Sequence, residues 1–203
     1  MGDELCSHSL TYEEIDSETV VYWDVVDFPV TDIDSFNENI RLALGNAGYH
    51  GKVTIRAYYG DKKPDESAGI TFVSRASKRD RMHNMLLDMN LWALDNVSSA
   101  PTNLMVITKM PDDDDEDETR FVIFLGDLNF ECYNVLLALP DDYRPENMPF
   151  DLNFTSWRWS DLCAGGYPLE DSLVKSLRDE VDLRNENPQP PQPESQVICG
   201  CKN

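Results

Sequence analysis

TVVYWDVV, residues 19 to 26, is an unbroken run of β-branched and aromatic residues holding one acid, Asp24. Its composition is that of a strand covered on both faces, as in a parallel sheet between helices. In such sheets ligands bind outside the carboxyl ends of the strands, near the point where strand order reverses. Asp24 and the following Asp27 are therefore the first candidate site residues.

Outward from that strand, Pro29 marks a turn, and DSFNENIRLALGNAGY (34 to 49) spaces Phe36, Ile40, Leu42, Ala43 and Leu44 near the period of a helix that stops at Gly45 to Gly48. KVTIRAYY (52 to 59) and GITFVS (69 to 74) read as the second and third strands, and NLMVITK (103 to 109) and YNVLLALP (133 to 140) as the fourth and fifth. Between them, HNMLLDMNLWALDN (83 to 96) puts Met85, Met89, Trp92 and Asn96 on one helical face, and TRFVIFLGDLNFE (119 to 131) is a further amphipathic helix. WRWSDLC (157 to 163) is expected to add a short sixth strand, followed by a surface helix in LEDSLVKSLRDEVDL. Alternating strands and helices predict an α/β, Rossmann-like three-layer sandwich with a mostly parallel sheet of five or six strands and right-handed crossovers.

The 203 residues hold one core with tails. We expect a leader at 1–18, the domain at 19–165, the surface helix at 166–184 and a proline-rich tail without a packed partner at 185–203. A hydrophobic fraction of 41% argues for a folded chain despite a net charge of −21. No apolar run approaches the roughly 20 residues that cross a bilayer, and no signal peptide is legible, so an intracellular, cytoplasmic protein without membrane contact is expected. Five cysteines, odd in number and scattered, form no disulfide framework, and the Cys199–Cys201 pair lacks partners for a metal site.

None of the strand ends carries a glycine-rich phosphate loop, which leaves carboxylates as the candidate chemistry. Acids gathered at a sheet edge suit Mg2+ or Mn2+, hard cations that prefer oxygen ligands and can activate water against a phosphodiester. Asp88 is an acid in an otherwise apolar helix, which by itself is more often a solvated position than a ligand.

VVYWDVVDFPV, the helix ending in GY, AYYGD, GITFV, MLLDMNLWALDN, PTNLMVIT and YNVLLALP together resemble the NYN domain of the PIN-like nucleases. The likeness spans residues 19 to about 140 and is nearest to the plant limkain-type members, similar to the meiosis regulator and mRNA stability factor group. It implies a fold acting on RNA, post-transcriptional control of gene expression, and a Mg2+- or Mn2+-dependent endoribonuclease centre. Asp24 matches the family's first acid and Asp88 its helix acid, which makes them the catalytic and metal-ligating candidates, with Asp27 and Glu118 as further metal ligands. Family relatives are associated with peroxisomes, a compartment for which this chain carries no signal of its own.

The chain departs from the family after the fourth strand. Where the pattern is S-G-D-x-D-F, this sequence reads ITKMPDDDDEDETRF; Phe121 aligns with the Phe, Glu118 with the first Asp and Arg120 with the second. A cation at an acid's place opposes metal binding, and the seven acids from Asp112 to Glu118 read as a solvated loop. The resemblance thus implies an impaired centre.

Residues 52 to 81 hold eight of the 17 basic residues against four acids, although the whole chain is acidic. Arg75, Lys78, Arg79 and Arg81 follow the third strand and are the candidates for phosphates of a single-stranded RNA, with Tyr58 and Tyr59 as stacking platforms. The alternative is a catalytically inactive scaffold that binds proteins through its acidic loop and tail. A receiver-like phosphotransfer domain would need a lysine after the last strand and a phosphorylatable aspartate after a middle one, neither of which is clear in the sequence.

Overall fold

The computed structural model describes residues 16–96, 102–109, 116–131, 133–143 and 154–169, without the side chains of 116–119. Six strands, β1 (Thr19–Asp24), β2 (Val53–Tyr59), β3 (Ile70–Ser74), β4 (Asn103–Ile107), β5 (Asn134–Leu139) and β6 (Thr155–Arg158), form one sheet in the order β3-β2-β1-β4-β5-β6. Every pairing is parallel. Among the described residues four helices accompany them: α1 (Ile33–Asn46), α2 (Lys78–Asn96), α3 (Glu116–Phe130) and the short α4 (Trp159–Cys163). The expected Rossmann-like three-layer sandwich is observed, and its sheet is parallel throughout.

Alternation along β1 divides the interior into two cores. Val21 and Trp23 pack with Phe36, Ile40, Ala43 and Leu44 of α1 and Leu162 of α4. Val20 and Tyr22 pack on the opposite face with Met82, Met85 and Met89 of α2 and Phe121 and Leu125 of α3. Successive strand residues point to opposite faces, so a strand inside three layers is buried at every position. That is why β1 shows no polar alternation and all six of its residues are buried. Complete burial of each large apolar side chain contributes about 1.5–3 kcal/mol.

The helices start where local chemistry starts them. The Asp32 carboxylate accepts the Asp34 and Ser35 amides, each at 3.1 Å, which caps α1. At its other end the chain turns through Gly48 at φ 95°, a left-handed conformation that favours glycine, before entering β2. Ser77 and Asp80 cap α2: Ser77 Oγ accepts the Asp80 amide at 3.0 Å and donates to the Asp80 carboxylate at 2.7 Å.

Four boundaries differ from the sequence expectation; one is α3, which begins at Glu116 and not at Thr119, so that Glu116 to Glu118 of the run expected as a loop are helical, and within α1 Leu42 is exposed and off the packed face. β1 ends at Asp24 because the next residues turn back on the Asp24 carboxylate, which accepts the amides of Val26 and Asp27. α2 begins five residues before His83, at Lys78, because of the Ser77 cap. The segment expected as a sixth strand over 157–163 is strand only to Arg158 and helix from Trp159, with Ser160 N held by the Asp141 carboxylate at 2.9 Å. The expected surface helix beyond Leu169, the tail, residues 1–15 of the leader and Asp112 to Asp115 of the acidic run lie outside the described residues.

Candidate functional site

Strand order reverses at β1, which has β2 on one side and β4 on the other. Asp24 is therefore the last residue of the strand at the switch point, where an open parallel sheet places its crevice. It is completely buried. A carboxylate in that setting must be compensated, because an unpaired buried charge costs several kcal/mol.

Compensation comes from the first turn of α2. Arg81 Nε donates to both Asp24 oxygens, at 3.0 and 2.9 Å, and Arg81 is itself only 4% exposed. Asp24 Oδ1 also accepts the Val26 amide at 2.9 Å and the Asp27 amide at 3.3 Å. Lys78, three residues before Arg81 and so on the same helical face, approaches Asp24 Oδ2 at 3.7 Å and donates to Asp27 Oδ2. Asp27 Oδ2 further accepts Thr108 Oγ1 and the Lys109 amide, each at 3.0 Å. The strand edge thus holds a compact network of two acids, two cations and a hydroxyl, drawn from the β1 turn, the β4 exit and the start of α2.

Asp88 stands elsewhere. It follows Arg81 by seven residues, about 10 Å along the helix axis. Its Oδ2 accepts Tyr58 Oη at 2.6 Å and pairs with Arg56 Nη1 at 3.1 Å, while its backbone carbonyl accepts Tyr22 Oη at 3.3 Å. Burial raises the pKa of both tyrosines well above the ordinary range, and for Tyr58 the hydrogen bond to Asp88 adds to the effect. The structure does not bring Asp88 and Asp24 into one cluster. Glu118 lies in the first turn of α3, its side chain outside the described residues, and Arg120 is exposed on α3.

Divalent-ion chemistry, implied by the family resemblance, does not fit this arrangement. Both oxygens of Asp24 face a buried guanidinium, Asp27 faces an ammonium, and Asp88 is tied to Arg56 and Tyr58. Among the described residues no group of three or more His, Cys, Asp or Glu side chains is arranged to hold a metal ion.

Two of the four basic residues expected at phosphates need correction. Arg81 is buried against Asp24 and unreachable by a polyanion. Lys78 is turned inward, its ammonium engaged by Asp27 and Thr108. Arg75 and Arg79 are exposed, as are Lys62 beyond β2 and Lys109 beyond β4. Tyr58 is buried and donates to Asp88, so it offers no stacking face; Tyr59 is half-buried and packs edge-on against Phe72 with ring centroids 6.4 Å apart. Thr108 and Lys109, which the strand-end rule also selects after the fourth strand, supply a hydroxyl and a backbone amide to Asp27. The signal for the inward cations was present in Ser77-x-x-Asp80, a capping pattern that places Lys78 and Arg81 on a helix.

No family model matches the chain, and no curated protein is significantly similar to it. Among solved structures it is similar to the C-terminal domain of the coenzyme A biosynthesis bifunctional protein CoaBC, at 9% identity and a TM-score of 0.33, over 84% of this chain and 98% of that one. At that score the likeness carries no argument about the site. No helix among the described residues is long and apolar enough to cross a membrane.

Proposed function

We propose that the chain is a PIN-like protein of the NYN type that binds single-stranded RNA in post-transcriptional control of gene expression without cutting it. The observation that carries the non-cutting half is the Arg81 guanidinium on both oxygens of the buried Asp24. A catalytic ion would have to displace a cation of the protein's own helix. Support for RNA comes from the family resemblance and from Lys62, Arg75, Arg79 and Lys109, exposed beyond three strands and in the first turn of α2.

The alternative is a protein-binding scaffold. In its favour, Leu87, Leu91 and Leu94 recur at one-turn spacing on the outer face of α2, exposed by 56%, 52% and 70%.

Fluorescence anisotropy with a labelled single-stranded RNA at low salt separates the two. Wild type should bind with an affinity that falls as salt rises, and Arg75→Glu with Arg79→Glu should weaken binding about tenfold or more. Labelled RNA should stay intact with Mg2+ or Mn2+. Equal binding by wild type and the charge-reversed variant removes the RNA reading in favour of the scaffold. Metal-dependent cleavage abolished by Asp27→Asn removes the non-cutting half.

A further inference from the structure

Lys78 Nζ has four oxygens around it: Asp27 Oδ2 in direct contact, Thr108 Oγ1 at 3.0 Å, the Lys109 carbonyl at 3.4 Å and Asp24 Oδ2 at 3.7 Å. They come from two chain segments, the β1 turn and the β4 exit, and Nζ reaches them from a third, the start of α2. An ordinary surface ion pair joins one ammonium to one carboxylate and is worth little. Here a single ammonium bridges two carboxylates, a hydroxyl and a carbonyl, and its side chain is only 32% exposed.

We propose that Lys78 is a tethered resident cation: its ammonium stands where a hard divalent ion would otherwise sit on Asp27, Thr108 Oγ1 and the Lys109 carbonyl, beside an Asp24 that Arg81 keeps paired, and this edge takes up Mn2+ once that ammonium is removed. The donor set supports this. It is all oxygen, the Asp27 carboxylate with a hydroxyl and a backbone carbonyl, and the Arg81-paired Asp24 carboxylate alongside, which suits Mg2+ or Mn2+ and not a soft metal. Charge supports it as well. The two acids are matched by Arg81 and Lys78, so the network is neutral with its own cations and a further dication would leave it over-compensated. Withdrawing Lys78 restores one uncompensated negative charge beside Arg81, on an edge whose remaining oxygens already converge.

Position explains why a lysine can do this. The Ser77 cap fixes the start of α2, so the Lys78 stem is presented to the β1 and β4 ends whenever the helix is formed. A tethered cation is held at high effective concentration and excludes a free ion by occupancy and by repulsion. The inference concerns the site's own cation and stands whether or not RNA binds.

Mn2+ uptake by the full chain, followed by the loss of the free-ion electron paramagnetic resonance signal, tests it. Wild type should leave the signal unchanged. Lys78→Met should bind one equivalent at least about tenfold more tightly than wild type, with a Tm that rises as Mn2+ is added, and Asp27→Asn in that background should abolish both effects. A folded Lys78→Met protein that takes up no Mn2+ overturns the inference, as does wild-type uptake that depends on Asp27.

Should Lys78→Met fail to fold, 15N detection of the wild-type ammonium gives the answer. A slowly exchanging Lys78 Nζ signal is expected from the four-oxygen cage, and exchange at the rate of the solvent-exposed Lys62 ammonium would overturn it.

Discussion

Asp24 and Asp88 lie on the same face of the sheet, each paired with an arginine, yet they are built differently. Asp24 is completely buried, its arginine is 4% exposed, and its other contacts are backbone amides and a lysine. Asp88 keeps 23% of its side-chain surface, and Arg56 keeps 46%. The first pair is sealed inside the fold, while the second sits on the rim of two buried tyrosines. Pairing of the same chemical type therefore does different work: in one place it permits a charge to exist in the interior, in the other it adds a modest contact between groups that solvent still reaches.

The largest expected effect breaks the first pair. Asp24→Asn leaves the Arg81 guanidinium buried without its countercharge, which costs about 3–5 kcal/mol when one partner of a buried pair is removed. Arg81→Met should cost a similar amount by stranding Asp24, although the nearby Lys78 can relieve part of it. Urea unfolding followed by circular dichroism measures both. If Asp24→Asn unfolds within about 1 kcal/mol of wild type, the carboxylate is not the charge that holds Arg81 inside, and the contrast with Asp88 disappears.

Alkaline pH gives the next effect, because the Asp88 region contains two buried phenols. Tyr22 and Tyr58 are pushed up from an ordinary value of 10.0, by burial in both and by the hydrogen bond to Asp88 in Tyr58. Below pH 10 both are protonated in the folded and unfolded chain alike, and their contribution is fully present. Above it the unfolded chain loses these protons while the folded one retains them, so stability falls by up to about 1.4 kcal/mol per pH unit for each tyrosine. Unfolding midpoints between pH 9 and 11, with tyrosinate absorbance, should show the decline, and Tyr58→Phe should make it shallower. A flat profile would mean that the two hydroxyls ionise in the folded state as freely as in the unfolded chain.

These two regions also show how far the sequence could be read. The apolar run of β1, the α1 face at Phe36, Ile40 and Leu44, and the later strands announced a parallel α/β sheet, because burial on both faces leaves a compositional mark. The switch-point rule picked out Asp24 from that alone. Pairing partners leave no such mark. Arg81 and Lys78 look like surface cations in RASKRDR until Ser77 is seen as a helix cap, and the fourfold setting of Lys78 depends on Asp27 and Thr108, 51 and 30 residues away. The separation of Asp88 from Asp24 follows from the path of α2 across the sheet: seven residues of helix carry it down the strands, away from their carboxyl ends.

The smallest effect concerns the rim. Arg56→Ala removes one partner of Asp88, but Arg56 keeps 46% of its side-chain surface and Asp88 23%, so screening and side-chain entropy leave the ion pair worth about 1 kcal/mol or less. Asp88 retains the Tyr58 hydroxyl at 2.6 Å, so its carboxylate is not left unsatisfied. The same urea assay should therefore place Arg56→Ala within about 1 kcal/mol of wild type, with most of that contribution lost at high salt. A loss as large as that of Arg81→Met would mean that Arg56 secures the Tyr22 and Tyr58 hydroxyls as well as the Asp88 carboxylate. The rim would then behave as a second interior pair, and exposure would no longer separate the two regions.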